Sequence, residues 1–152
     1  MGWIEQCPKL FGIQTTGSAA IANAFLTGSE EIIPVNANTI ADSISVDLPR
    51  DGVRAVRAAK ETNGAYIVVD DRELLIGIAE LGRVGVFAEP AGATAFAGLK
   101  KAIKENMINH DDPVLVLNTG SGLKDVRAAM QAVREAPVIE PSMKALRQYL
   151  NG

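Results

Sequence analysis

Tyr66-Ile67-Val68-Val69-Asp70-Asp71-Arg72-Glu73-Leu74-Leu75-Ile76-Gly77-Ile78 joins an unbroken apolar run to two acids and then to apolar residues at helical spacing. A continuous apolar run, unlike an alternating one, suits a strand buried on both faces. Leu74, Leu75 and Ile78 fall on one side of a 3.6-residue period. The stretch therefore reads as a strand, a short polar loop and an amphipathic helix. The same unit recurs along the chain. Leu10-Phe11-Gly12-Ile13 leads through Gly17-Ser18 to Ile21 and Phe25. Val84 to Ala88 leads through Glu89-Pro90 to Phe96, Leu99, Ile103 and Met107. Val114-Leu115-Val116-Leu117 leads through Thr119-Gly120-Ser121-Gly122 to Val126, Ala129, Met130 and Val133. Strands that alternate with helices predict right-handed crossovers and an α/β fold: a parallel sheet with flanking helices in three layers. Ligands of such sheets bind beyond the carboxyl ends of the strands. Thr15 to Ser18, Glu89 to Ala93 and Asn118 to Asp125 are the loops expected there.

Other segments fit around this frame. Asp51 to Thr62 has Val53, Val56 and Ala59 at helical spacing and stops at Asn63-Gly64. Gly28 to Pro49 has no clear period and is rich in Asn, Ser and Asp, and a loop of that length inside a domain is usually functional or disordered. Met143, Leu146 and Leu150 are spaced as a docking helix over Ser142 to Leu150. At 152 residues, 1–152 is expected to be one domain with a sizeable core.

Composition narrows the function classes. Net charge is −3, the isoelectric point is near 5.2 and aromatics are 5% of residues, so a phosphate backbone is a poor partner and few side chains could stack bases. No apolar run approaches the ~20 residues of a membrane span. Met1-Gly2-Trp3-Ile4-Glu5 has no basic segment leading into an apolar core, so no signal peptide is read and a cytoplasmic location is expected. The single cysteine, Cys7, has no partner for an internal disulfide and reads as packed or idle.

Several motifs fail on inspection. Gly12-Ile13-Gln14-Thr15-Thr16-Gly17-Ser18 has the glycine spacing of a P-loop, but Ser18 stands where the lysine belongs. Gly120-Ser121-Gly122-Leu123-Lys124-Asp125 starts like a dinucleotide fingerprint, yet Asp125 replaces the third glycine. The only histidine, His110, sits in a polar loop and reads as solvated rather than as a metal ligand or base. No metal site is expected. Glu30-Glu31, Asp70-Asp71 and Asp111-Asp112 precede strands or helices, where acid pairs act as turn and N-cap residues.

Two loops remain. In Glu89-Pro90-Ala91-Gly92-Ala93, Pro90 suits the first helical position. Its tiny neighbours either let something flat lie against the backbone or serve close helix–sheet packing, with Glu89 as a solvated cap. Thr119, followed by two glycines, marks either a tight strand-to-helix turn or a place where the backbone approaches a ligand.

Together, Thr39-Ile40-Ala41-Asp42-Ser43-Ile44, Glu89-Pro90-Ala91-Gly92-Ala93 and Thr119-Gly120-Ser121-Gly122-Leu123-Lys124-Asp125 resemble threonine synthases in order and spacing. These are pyridoxal-phosphate enzymes of fold type II, the tryptophan synthase β-like superfamily, and the resemblance runs from about Trp3 to about Ala132. It implies that the chain forms part of the large domain of such an enzyme. Thr119 would hydrogen-bond the pyridine nitrogen of the cofactor. Such a hydroxyl, unlike a carboxylate, leaves the ring nitrogen unprotonated and the ring a weaker electron sink. Glu89, Ala91, Gly92, Ala41 and Gly120 would lie beside the cofactor, and Thr39, Asp42 and Ser43 on the substrate side. The reaction of the intact enzymes converts O-phosphohomoserine and water to threonine and phosphate.

The chain departs from the family where the chemistry starts. The Schiff-base lysine in its Ser-x-Lys motif and the glycine-rich phosphate cup, which the family carries upstream of the matched region, are both absent. None of Lys9, Lys60, Lys100, Lys101, Lys104, Lys124 and Lys144 lies in such a motif. Without that lysine the covalent chemistry cannot begin. Without the cup, cofactor affinity is expected to be weak or nil in this chain alone. The expected partners are therefore the missing N-terminal part of the enzyme, in cis or as a separate chain, and a small-molecule substrate. Apolar surface exposed where that part docks would favour homo-oligomers. The alternatives are a non-catalytic ligand- or partner-binding relic, and a fragment of a threonine dehydratase-like or cysteate synthase-like enzyme.

Overall fold

The computed structural model describes residues 2, 4, 5, 7–133 and 135–151, so Trp3, where the resemblance begins, lies outside the described residues. Two parallel strands form the sheet: β1 (Phe11–Thr15) and β2 (Ala65–Val69), in register from Phe11 opposite Ala65 to Thr15 opposite Val69. Strand side chains alternate between faces, so each face meets its own helices. On one face lies α1 (Ala20–Leu26). There the Phe25 ring sits 5.5 Å from the Tyr66 ring, and Gln14 Oε1 accepts the Ala22 N–H at 2.8 Å. On the other face lies α4 (Pro90–Lys104), whose Gly98 rests on Ile13 so closely that a Cβ would collide with it. Ala97 and Ala102 of α4 join Ile67, Val69, Leu74 and Ala41 in the main core. The expected three-layer parallel α/β arrangement is thus present.

The remaining helices frame these layers. α2 (Gly52–Glu61) packs beside α1, and α3 (Asp71–Arg83) beside α4. α5 (Val126–Ala132) adds Ala128 and Ala132 to a second cluster with Ile78, Ala88 and Ala93. Local chemistry sets their ends. Asp70 accepts the Glu73 N–H while Glu73 accepts the Asp70 N–H, both at 2.8 Å, a reciprocal capping box at the start of α3. Pro90 opens α4 as its first residue, as the sequence predicts. At the end of α2 it is Asn63 that takes the left-handed conformation, at φ +54°. Gly64 is needed for a different reason: a Cβ there would strike the Leu10 backbone.

Two expected strands do not form. Val84 and Gly85 close α3 in a turn, with Gly85 at φ +83° and the Val86 N–H bonded to Leu81 O at 2.9 Å. Only Ala88 pairs, in an isolated antiparallel bridge with Ser121. Val114 to Leu117 has no ladder partner among the described residues, and Leu115 is 84% exposed. A strand buried on both faces requires neighbours that cover it, and here the sheet ends at two strands. The docking helix is also corrected: α6 (Met143–Leu150) forms but buries none of its residues. Cys7 is exposed rather than packed.

Candidate active site

The three loops expected at the site are each tied to another part of the chain. The segment Gly28–Pro49, which contains only a single 3-10 turn at Asp42–Ile44, folds over the end of β1. The Asn38 N–H bonds Gly17 O at 2.8 Å, close enough that a side chain at Gly17 would strike Asn38. Buried Ser18 supplies a hydroxyl within reach of Ile44 O (3.0 Å) and Val46 O (3.1 Å), and accepts the Val46 N–H at 3.2 Å. Thr39 donates to Asp71 Oδ1 at 2.5 Å, and the Ile40 N–H donates to Asp71 Oδ2 at 3.2 Å. The loop therefore rests on the first turn of α3. Of its predicted residues, Ala41 is fully buried in the main core, whereas Asp42 and Ser43 are exposed.

The other two motifs meet directly. The Glu89 N–H donates to Gly120 O at 3.1 Å, and the Gly122 N–H to Phe87 O at 2.9 Å. The Glu89 carboxylate, on a residue only 7% exposed, accepts from Lys124 Nζ at 3.1 Å across 35 positions of sequence. A carboxylate taken out of water needs such a partner. Glycine is required along this seam. A Cβ at Gly120 would strike the Glu89 carboxylate, one at Gly92 the Asn118 side chain, and one at Gly122 the Phe87 ring. The small residues of Glu89–Ala93 are thus used in packing, as one of the two readings held, but against the Asn118–Gly122 loop. Glu89 itself is an ion-paired buried group and makes no capping hydrogen bond.

The two groups of predicted residues approach one another through α4. Ala91 packs against the core cluster that contains Ala41, while Gly92 faces Asn118 and Gly120. Thr119 is exposed, and among the described residues its hydroxyl has no hydrogen-bond partner. Thr15 Oγ1, at the end of β1, is buried and likewise unpartnered. Sequence reasoning missed the role of Asp71, hidden behind its neighbour's capping role, and the Lys124–Glu89 pair, which no spacing rule announces. Among the described residues no three His, Cys, Asp or Glu side chains cluster as metal ligands, and no helix is long and apolar enough to cross a membrane.

Thr119 offers a free hydroxyl beside a glycine-lined seam. The one lysine of these loops, Lys124, is engaged with Glu89, and no glycine cup accompanies it.

Comparison with known proteins supplies the family. A family model described as pyridoxal-phosphate dependent enzyme matches residues 1–120. The chain is 38% identical to a threonine synthase of Methanocaldococcus jannaschii over 98% of its own length and 37% of that protein's. It is 32% identical to a threonine synthase of Methanosarcina acetivorans over 100% of its length and 38% of the relative's. It therefore spans a little over a third of the curated relatives it matches. In fold it is similar to threonine synthase from Escherichia coli, with a TM-score of 0.60 at 17% identity over 93% of this chain and 36% of that one. It is similar as well to the processed form of threonine deaminase isoform 2 from Solanum lycopersicum, at TM-score 0.64 and 18% identity over 82% and 36%. With the family model covering most of its length, and both joined motifs inside or bordering the match, the chain belongs to the family of pyridoxal-phosphate dependent enzymes.

Proposed function

We propose that this chain is the C-terminal domain of a threonine synthase and builds the pyridine-side wall of its active site. One observation supports the reading above the rest. The segments 87–93 and 118–125, far apart in sequence, are locked into one seam by two backbone hydrogen bonds and the Lys124–Glu89 pair. That seam leaves the Thr119 hydroxyl exposed beside it. Pyridoxal phosphate, when bound, supplies an electron sink for the reacting amino acid. Thr119 would donate to its ring nitrogen, with Glu89, Gly120, Ala91 and Gly92 shaping the wall beside it. Buried Ala41 supports that wall from within the core, and the loop Thr39–Ser43 lies on the substrate side. The substrate of the complete site would be O-phosphohomoserine, cleaved with water to threonine and phosphate.

The chain would not turn over alone, since the lysine and the phosphate cup belong to an N-terminal part that completes the site in cis or as a second chain. The match to threonine synthases over nearly the whole chain favours this substrate over those of threonine dehydratase-like or cysteate synthase-like enzymes. Borohydride reduction of the chain with pyridoxal phosphate provides the test. Scattered, substoichiometric labelling is expected, and stoichiometric labelling of one lysine would overturn the incomplete-site reading.

A further inference from the structure

Thr39 stands on the substrate side of the proposed site, yet its hydroxyl is already engaged. A hydroxyl has one proton to donate and two lone pairs. The proton goes to Asp71 Oδ1, and one lone pair takes the Ala41 N–H at 3.3 Å. Both oxygens of Asp71 are engaged by the loop, the second accepting the Ile40 N–H at 3.2 Å. These bonds span more than thirty positions of sequence and are partly buried, and Asp71 sits in the first turn of a helix fixed by the Asp70–Glu73 capping box. A carboxylate there is also favoured by the helix dipole. The turn that follows presents Asp42 and Ser43 to solvent, with no side-chain hydrogen bond to either among the described residues.

We infer that Asp71 and Thr39 are a positioning pair: they fix the loop so that Asp42 and Ser43 face the substrate, and Thr39 does not itself touch it. This rests on the proposed function for the identity of the substrate and for its place beside this loop. The pair is an anchor built from a helix start and a loop hydroxyl, and its two members should act as one unit.

The test is a double-substitution cycle with Thr39→Val, which is nearly isosteric, Asp71→Ala and the two combined, with Thr39→Ser as the conservative control. In the chain alone, hydrogen exchange at the Ile40 and Ala41 amides should quicken roughly three- to tenfold in each single variant, the loss of one net hydrogen bond. The combination should be little faster than either single variant, and Thr39→Ser should stay within about twofold of the parent. In the enzyme reconstituted with the upstream polypeptide of a threonine synthase, KM for O-phosphohomoserine should rise in both single variants. It should rise no further in the combination, while kcat changes less. A Thr39→Val loss that persists in full on the Asp71→Ala background would show that Thr39 touches substrate, and would overturn the inference. Unchanged exchange in either single variant would overturn it as well. Failure of the parent chain to reconstitute would count against the proposed function, and the exchange arm would still decide the pair.

Discussion

Tyr66–Val69 and Val114–Leu117 read alike in sequence, four apolar residues each followed by a polar loop and a helix, yet they end in opposite environments. Val69 is fully buried between β1 and α4, while Leu115 is 84% exposed and Leu117 66%. Apolar continuity expresses a requirement for cover on both faces. It does not say which part of the chain, or which other chain, supplies that cover. β2 finds β1 on its edge, α1 on one face and α4 on the other. Val114–Leu117 finds none of these, and Val84, Leu123 and Met130 are exposed as well. The contrast separates a self-sufficient core from a region that finds no such cover among the described residues.

The largest expected effect comes from treating the two runs identically. Ile67→Ala should cost about 2–5 kcal/mol of unfolding free energy, because it removes buried methylenes and leaves a cavity. Leu115→Ala should stay within about 0.5 kcal/mol, as for other exposed positions. Denaturant midpoints of the two variants measure the difference, and equal losses would abolish the distinction. Next in size is Gly120→Ala. Its new methyl lands on the Glu89 carboxylate and should destabilise by about 1–3 kcal/mol through overpacking. The same variant should separate the two motif loops, read as loss of the Glu89 and Gly122 amide protection against exchange.

Asp70→Ala should cost about 1 kcal/mol by removing the N-cap of α3, measurable as a lower thermal midpoint with little change elsewhere in the fold. The smallest effect belongs to the surface. The Arg57 side chain, bonded to Glu30, holds the Glu30 carboxyl below the usual carboxylate range against a weaker opposing effect of desolvation. A folded value below the unfolded one adds stability above the unfolded value, and that stability is lost as pH falls through the folded value. Both partners are open to solvent, so the contribution to global stability should be undetectable. An NMR titration should nevertheless place Glu30 below other exposed glutamates, and Arg57→Gln should abolish the difference.

Helices α1 to α5 and both strands were legible because their signals are local: period, caps, and punctuation by glycine and proline. Pro90 at the start of α4 and the acid pair Asp70-Asp71 at the start of α3 are examples. Val84–Ala88 was misread because Gly85 bends the chain to close α3, a tertiary choice that the apolar letters around it conceal. The motif loops were legible as loops. Their joining was not, since a bond between Glu89 and Lys124 across 35 positions depends on the path of the whole chain. Thr39 shows the finer limit. A sequence offers a hydroxyl, and only the fold shows that it already donates a hydrogen bond to Asp71.

A core that supplies one wall of a site completed elsewhere should depend on the other part for its activity. The direct measurement is threonine formation from O-phosphohomoserine and pyridoxal phosphate, by the chain alone and after mixing with an upstream polypeptide that carries the lysine and phosphate cup. No turnover is expected from the chain alone, and turnover is expected on mixing. Turnover by the chain alone, or none from the mixture when both polypeptides are folded and bound to each other, would contradict that dependence.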